Sequence, residues 1–303
     1  RQDITAIVTV ADDGGSTGKI RDEMSIPAPG DIRNVIAALS DAEPILEELF
    51  QYRFEEHQIE GHSLGNLLLA ALTNIKNDFG HAVKELSKIL NIKGKVIPST
   101  NTNVMLNAVL EDGEIVEGES KIPKKNKKIR RVYLEPSNVE PMQEAVDALQ
   151  EADLIVLGPG SLYTSVISNL CIEGISKAII SSQAPKLYIS NIMTQPGETN
   201  DYDVYDHIKA IHQHAGEPFI DYVICSNDAF DEQILQRYKE RNAHPVNMNK
   251  IKLTENHIKM ITSKNLVEVY DHVLVRHNTK VLANLIYDLA LELTSTIQFK
   301  PKK

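Results

Sequence analysis

The stretch Asp153 to Ile167, D-L-I-V-L-G-P-G-S-L-Y-T-S-V-I, constrains the fold more than any other part of the chain. Leu154 to Leu157 is a short unbroken apolar run, the pattern of a strand buried on both faces of a parallel sheet. Gly158, Pro159 and Gly160 end it at once. Ser161 then stands where a helix N-cap belongs, and the apolar spacing shifts toward a helical period. Strand, glycine turn and helix start together suit an anion. Free backbone N–H groups and the positive end of the helix dipole point into the turn, and glycines let a phosphate approach the backbone. Many α/β turns are glycine-rich and bind nothing, but this context favours a phosphate site.

The rest of the chain continues the alternation. Ile4 to Val10 reads as a buried strand running into a glycine-serine loop, Asp12-Asp13-Gly14-Gly15-Ser16-Thr17-Gly18. Open α/β sheets bind ligands beyond the carboxyl ends of their strands. Asp12 and Asp13 could there hold Mg²⁺, accept a proton or hydrogen-bond a hydroxyl; Asp-Gly is also ordinary turn chemistry. Asp31 is expected to cap a helix carrying Ile32, Val35, Ile36 and Leu39 inward, with Arg33 and Asn34 off that stripe, solvated or reaching a ligand. A second short helix follows Asp41, with Ile45, Leu46, Leu49 and Phe50 inward. Ser63 caps a third, whose stripe is Leu64, Leu67, Leu68, Ala71, Leu72 and Ile75. His62, just before that start, could face a phosphate or be satisfied locally. Phe79 to Leu90 is again helical, so residues 32–92 read as a helical cap.

Residues 95–135 read as a hairpin insertion with strands at Val96–Ile97, Val104–Leu110 and Ile115–Val116. The basic run Lys124, Lys125, Lys127, Lys128, Arg130, Arg131 solvates a long hairpin or loop there. A helix with Met142, Ala145, Val146 and Leu149 leads to the opening stretch. A strand at Lys186–Ser190, a helix at Val204–His214, a strand at Phe219–Cys225, a helix with Ile234 and Leu235, and a last helix from Thr279 to Leu293 capped by Asn278 complete the pattern. The expectation is an α/β fold with a doubly wound, mostly parallel sheet carrying helical and β-hairpin insertions, in a single domain.

Composition narrows the partners. The chain of 303 residues carries a formal net charge of -10, which disfavours a nucleic-acid partner. No apolar run reaches the ~20 residues of a membrane span, and no signal peptide is evident, so a cytoplasmic protein is expected. Cys171 and Cys225 read as buried free thiols. His207, His212 and His214 share one helix without the i, i+4 spacing of paired metal ligands and read as surface residues.

Five ordered motifs carry a resemblance: V-T-V-A-D-D-G-G-S-T-G-K-I-R-D at 8–22, P-A-P-G-D-I-R-N at 27–34, G-H-S-L-G-N-L at 61–67, L-G-P-G-S-L-Y-T-S at 157–165 and N-I-M-T-Q-P-G-E-T at 191–199. Together they resemble the YvcK/CofD-like (2-phospho-L-lactate transferase-like) family, most closely its gluconeogenesis-factor branch. The resemblance implies a Rossmann-like sheet and a homodimer. It implies a nucleotide held by Gly158, Pro159, Gly160, Ser161, Asn191, Thr194, Gln195, Pro196, Gly197 and Glu198. Asp12, Asp13, Ser16, Arg33, Asn34, His62 and Asn66 would complete the ligand site. Arg276 matches the branch's sugar-nucleotide-binding arginine, and Tyr238 its tyrosine. The enzymatic branch transfers a phospholactyl group from a nucleotide diphosphate to a deazaflavin. The gluconeogenesis-factor branch resembles a binding protein for UDP-sugars such as UDP-N-acetylglucosamine, required for cell shape on gluconeogenic carbon sources and with no required cofactor. Two departures stand out. Family members begin with a strand and a Gly-Gly-Gly-Thr-Gly loop, whereas this sequence starts at Arg1, so that unit is expected to be missing. The branch's Arg-His-Asp reads Arg276-His277-Asn278 here, and asparagine caps a helix without supplying charge.

Overall fold

The computed structural model describes residues 3–55, 59–271 and 274–298; Arg1, the first residue of the sequence, lies outside them. The protein is mixed α/β and Rossmann-like, with parallel sheets and helices between their strands. Two compact units are present, one of residues 1–149 and 163–181, the other of 150–162 and 182–303.

In the first unit, β1 (Thr5–Val8) pairs in parallel with β2 (Lys95–Pro98), Ala6 opposite Val96. Between them run α1 (Gly15–Met24), α2 (Gly30–Leu39), α3 (Pro44–Gln51), α4 (Leu64–Lys76) and α5 (Phe79–Ile89). The expected glycine-serine loop is thus a helix start. Gly15 takes a positive φ of 46°, which only glycine adopts freely, and the chain coils from there. Asp31 is not the cap expected of it. Pro29 holds the N-cap position and Asp31 sits inside the first turn, where a carboxylate still suits the helix dipole. Ser63 caps α4 as expected, accepting from the Asn66 backbone N–H.

The inward face of α4 differs from the expected stripe. Gly65, Asn66, Leu69, Ala70 and Thr73 are buried, while Leu68 is 39% and Ile75 71% exposed. Small and polar side chains share the inner face with Leu69, and Leu68 and Ile75 turn outward. On α3, Phe50 is 2% exposed but Ile45, Leu46 and Leu49 are 60%, 40% and 45% exposed, against the expectation for all three.

Beyond β2, an antiparallel sheet of order β4-β3-β5 is built from β3 (Met105–Leu110), β4 (Ile115–Glu117) and β5 (Ile129–Glu135). The sequence reading missed β5 because its basic residues masked an alternation in which Ile129, Val132 and Leu134 are buried. Lys125 and Lys127 of the basic run pair with Asp112 and Glu114 across the hairpin. After α6 (Gln143–Glu151) the chain enters the other unit and returns as a π-helical segment, Leu162–Ile167, continued by α7 (Ser168–Leu170) and α8 (Glu173–Ser181). The turn after Ser161 is therefore wider than the α-helical start expected of it.

In the second unit, β6 (Ile155–Leu157), β7 (Lys186–Ile189), β8 (Tyr222–Ile224) and β9 (Lys259–Ile261) form a four-stranded parallel sheet in that order. The strands are joined by α9 (Val204–Ala215), α10 (Glu232–Glu240) and α11 (Lys250–Glu255). A hairpin of β10 (Val267–Tyr270) and β11 (Leu274–His277) precedes α12 (Thr279–Gln298). Leu187, Ile189 and Ile224 pack against Leu282 and Leu289 of α12, on one face of the sheet. Tyr188, on the alternate face, meets His207 of α9 with ring centroids 6.4 Å apart. Helices thus cover both faces, as an all-parallel sheet requires. Asn278 caps α12 through the Val281 N–H.

His207 is a correction to the surface reading, because it is fully buried. Its Nδ1 lies 2.8 Å from the Asp203 carbonyl, and burial lowers its pKa. An apolar helix face can hold a neutral imidazole where one nitrogen finds a backbone carbonyl. Among the described residues no helix is long and apolar enough to cross a membrane.

The burial pattern of α3 separates two neighbours in stability. Phe50→Ala should cost ~3–5 kcal/mol. Leu49→Ala, despite the apolar pattern it belongs to, should stay within ~0.5 kcal/mol. Urea denaturation of both variants measures the contrast, and equal losses would refute the outward orientation of α3.

Candidate functional site

Two polar constellations hold the residues singled out from sequence, one in each unit. In the second unit the glycine turn lies at the carboxyl end of β6. Gly158 has φ 85°, and a Cβ there would stand 3.1 Å from the Ile189 carbonyl, so the turn is built around glycine. The next strand supplies what holds it. Asn191 Nδ2 donates to the Gly160 carbonyl at 2.9 Å and lies 3.4 Å from Gln195 Oε1. Gln195 Nε2 donates to Ser161 Oγ at 2.7 Å. The fully buried Tyr188 hydroxyl donates to Asn191 Oδ1 at 3.3 Å, and burial raises its pKa, so it stays a donor.

The Asn191–Thr199 segment is itself folded tightly. Gln195 N–H donates to Thr199 Oγ1 at 2.8 Å, Thr194 Oγ1 accepts from His244 N–H at 3.0 Å, and Gly197 N–H donates to Asn200 Oδ1 at 2.9 Å. Thr194 and Glu198 are buried and Pro196 is exposed. Thr194 therefore supports the loop from behind, while Asn191, Gln195 and Ser161 form its polar surface.

Beside this loop opens a cleft of about 650 Å³ whose wall includes Asn191 and Ile192. Its remaining wall comes from the segment after β8, including Ser226, Asn227, Asp228 and Phe230, and from Pro245 to Ile251. The location matches the rule for ligand sites at strand carboxyl ends, and the mixture of apolar walls with a few polar groups suits a small molecule. None of the 226–230 or 245–251 wall residues was singled out from sequence. Ser226-Asn227-Asp228 at a strand end was the available signal. Pro245 to Ile251 carries no motif.

Tyr238 packs with Phe230, Ile234 and Val267 against Ile192, Met193 and Val275, next to the cleft wall. Its hydroxyl accepts from the Val275 N–H at 2.9 Å. Arg276 follows on β11, exposed and opposite Glu268. It lies within a strand, two residues before Asn278, the cap of α12. The adjacent His277 has Nε2 3.2 Å from the Ser190 carbonyl and a pKa lowered by burial. The structure thus links Tyr238, β11 and the Asn191 segment.

In the first unit the starts of α1, α2 and α4 meet. Ser16 Oγ lies 3.1 Å from His62 Nδ1, and Asn66 Nδ2 donates to Ser16 Oγ at 3.2 Å and reaches Thr17 Oγ1 at 3.5 Å. All four side chains are buried. Asp12 Oδ1 accepts from Gly14 N–H at 2.8 Å, and its Oδ2 would lie 2.8 Å from a Cβ placed on Gly30, so α2 can begin only with a glycine there. Arg33 donates to Asn34 Oδ1 at 2.6 Å, and its Nε is buried without a partner.

Asp13 turns elsewhere. Its Oδ1 accepts from Ser120 N–H at 2.7 Å and its carboxylate fills the space beside Gly118. The carboxyl group that shares Asp12's surroundings is Asp31, whose pKa is raised to about 6, first by burial and then by the charge of Asp12, against the lowering effect of Arg33. Among the described residues no group of three or more His, Cys, Asp or Glu side chains could hold a metal ion. A magnesium ion here would depend on Asp12 and on ligand oxygens.

Asp31 has a consequence for stability. Its folded pKa lies above the unfolded value, so its contribution is fully present below about pH 4 and is lost as pH rises through about 6. Asp31→Asn should therefore gain stability relative to the parent between pH 4.5 and pH 7. Thermal melts at both values measure it, and a pH-independent difference would show that Asp31 titrates normally.

The family model for 2-phospho-L-lactate transferase CofD matches residues 1–266. A gluconeogenesis factor from Bacillus subtilis is 49% identical over 96% of this chain and 91% of its own length. One from Halalkalibacterium halodurans is 47% identical over 97% of this chain and 91% of its own. A crystal structure of a UPF0052-family protein from Bacillus halodurans is similar with a TM-score of 0.90 at 47% identity, covering 94% of this chain and 91% of that one.

Proposed function

The chain belongs to the CofD family and is a homologue of gluconeogenesis factors, and on that premise we propose that it is a regulatory protein that binds a nucleotide sugar, with UDP-N-acetylglucosamine as the representative ligand. One observation carries the reading. Asn191 both donates to the Gly160 carbonyl of the glycine turn at 2.9 Å and lines the 650 Å³ cleft, so a phosphate site and a cavity of nucleoside size adjoin through one side chain. The diphosphate lies against Gly158–Ser161 and the nucleoside enters the cleft. Arg276, exposed on β11, supplies a planar pair of donors to the diphosphate or the sugar. The resulting role is that of a gluconeogenesis factor which reports nucleotide-sugar supply to the control of cell shape on gluconeogenic carbon sources.

A second reading rests on the first unit. Asp12 beside Asp31, with a pKa raised to about 6, gives a carboxyl able to take or hold a proton near neutrality. Such a group suits the deprotonation of an acceptor hydroxyl during phospholactyl transfer to a deazaflavin.

Thermal-shift and calorimetric measurements with UDP-N-acetylglucosamine, UDP-glucose and GDP decide between them. Under the first reading a UDP-sugar at 100 times its dissociation constant adds ~2.7 kcal/mol of apparent stability, and Arg276→Ala weakens its binding roughly tenfold or more, ~1.5–3 kcal/mol, with the unliganded Tm unchanged. No deazaflavin transfer is detected. Absence of any nucleotide-induced shift would refute this reading, and turnover abolished by Asp12→Asn would establish the second.

A further inference from the structure

The wall of the cleft carries an asymmetry of charge. Among the described residues, Asp228 is the only acidic and Lys250 the only basic one lining it. The carboxylate of Asp228 is consumed internally. Its Oδ1 accepts from Asn265 N–H at 2.9 Å, and its Oδ2 accepts from Val267 N–H at 3.0 Å and from Ser226 Oγ at 3.1 Å. A carboxylate so engaged has little capacity left for a ligand. Lys250 is exposed, and among the described residues no hydrogen bond or ion pair holds its ammonium. Its charge is nonetheless felt at the bottom of the cleft, where it opposes the upward shift of the Cys225 thiol caused by burial. The amide of Asn227, also on the wall, likewise has no internal partner. The remaining wall is largely apolar, including Ile192, Phe230, Leu235, Val246, Met248 and Ile251.

A wall of this kind suits a flat apolar body with a polar edge and one adjacent negative charge. Resting on the nucleotide-sugar reading above, we infer that the cleft is the nucleoside phosphate subsite, in which Lys250 binds the phosphate next to the nucleoside and Asn227 reads an amide-like edge of the base. An amide offers a donor and an acceptor side by side, the complement of a base edge that does the same. An ammonium on a flexible stem can follow a phosphate oxygen without fixed geometry. Neither residue supports the fold: Asn227 is exposed and Lys250 opens α11 with its side chain outward. The assignment makes the cleft selective for nucleotides over free sugars and sugar phosphates.

The test uses the full chain and calorimetric titration with UDP and with uridine. Lys250→Ala should weaken UDP about tenfold, leave uridine within about twofold, and be largely restored by Lys250→Arg. The salt dependence of UDP binding should fall in the Ala variant. Asn227→Ala should weaken UDP and uridine by the same factor. If the parent binds UDP and Lys250→Ala binds it equally well, the subsite assignment is overturned while the nucleotide-sugar reading stands. If Lys250→Ala weakens UDP and uridine alike, Lys250 supports the wall and does not bind phosphate, which also overturns the assignment. A parent protein that binds neither UDP nor a UDP-sugar overturns both. Unchanged melting temperatures of the unliganded variants exclude loss of fold as the cause.

Discussion

The orientation of one side-chain amide organises the second unit. The Gly160 carbonyl can only accept, and this fixes which end of the Asn191 amide is nitrogen. The amide oxygen then accepts from the Tyr188 hydroxyl, the same nitrogen faces Gln195 Oε1, and the nitrogen of Gln195 faces Ser161. Each polarity dictates the next, so the glycine turn is tied through one amide to a phenol buried in the sheet. Burial keeps that phenol protonated by raising its pKa. In a low-dielectric surrounding such a chain is stiff, because flipping the Asn191 amide would set its oxygen against the Gly160 carbonyl and Gln195 Oε1. The glycine turn is preorganised by this chain rather than by its own residues, two of which are glycines with no side chain to anchor them.

The first unit solves a different problem. Helix starts present unsatisfied N–H groups and positive potential, and bringing α1, α2 and α4 together concentrates both. Asp12 and Asp31 answer with negative charge, and Ser16, His62 and Asn66 with hydrogen bonds. The cost falls on Asp31, whose ionised form is held among buried groups and beside a like charge. It also falls on the helices, because polar residues inside displace apolar ones outward. On α4, Asn66 and Thr73 are buried while Leu68 and Ile75 are exposed.

The same trade explains what was legible in the sequence. The parallel strands and their helices were readable, since Leu154–Leu157, Lys186–Ser190 and Val204–His214 follow hydrophobic periodicities set by the sheet. The caps Ser63 and Asn278 were also readable from local chemistry. The α4 stripe failed because periodicity assumes that apolar residues face the interior, and here the interior is a polar junction. Asp13 was paired with Asp12 on adjacency alone, yet its carboxylate turns to the Ser120 N–H, and the carboxyl group close to Asp12 is Asp31, nineteen positions on. His207 failed for a related reason: its one carbonyl partner, Asp203, is a backbone group that no sequence pattern shows.

The cleft was the least legible part, and its charge balance explains how an acidic protein can hold an anion. A net charge of -10 sets a repulsive far field for a nucleotide diphosphate. At ~8–10 Å screening length that field is largely lost in physiological salt, so the sign of the nearest groups decides the encounter. Near the cleft those groups are neutral amides, a carboxylate saturated by internal donors, and one ammonium. Three hydrogen bonds to Asp228 do not remove its charge, but they hold the carboxylate against Ser226 and the backbone at Asn265 and Val267. Lys250, exposed and without a partner among the described residues, is the basic residue on that wall. Removing acidic character from one patch while keeping it elsewhere requires a carboxylate with a structural duty, and Asp228 joins the end of β8 to the hairpin in doing so.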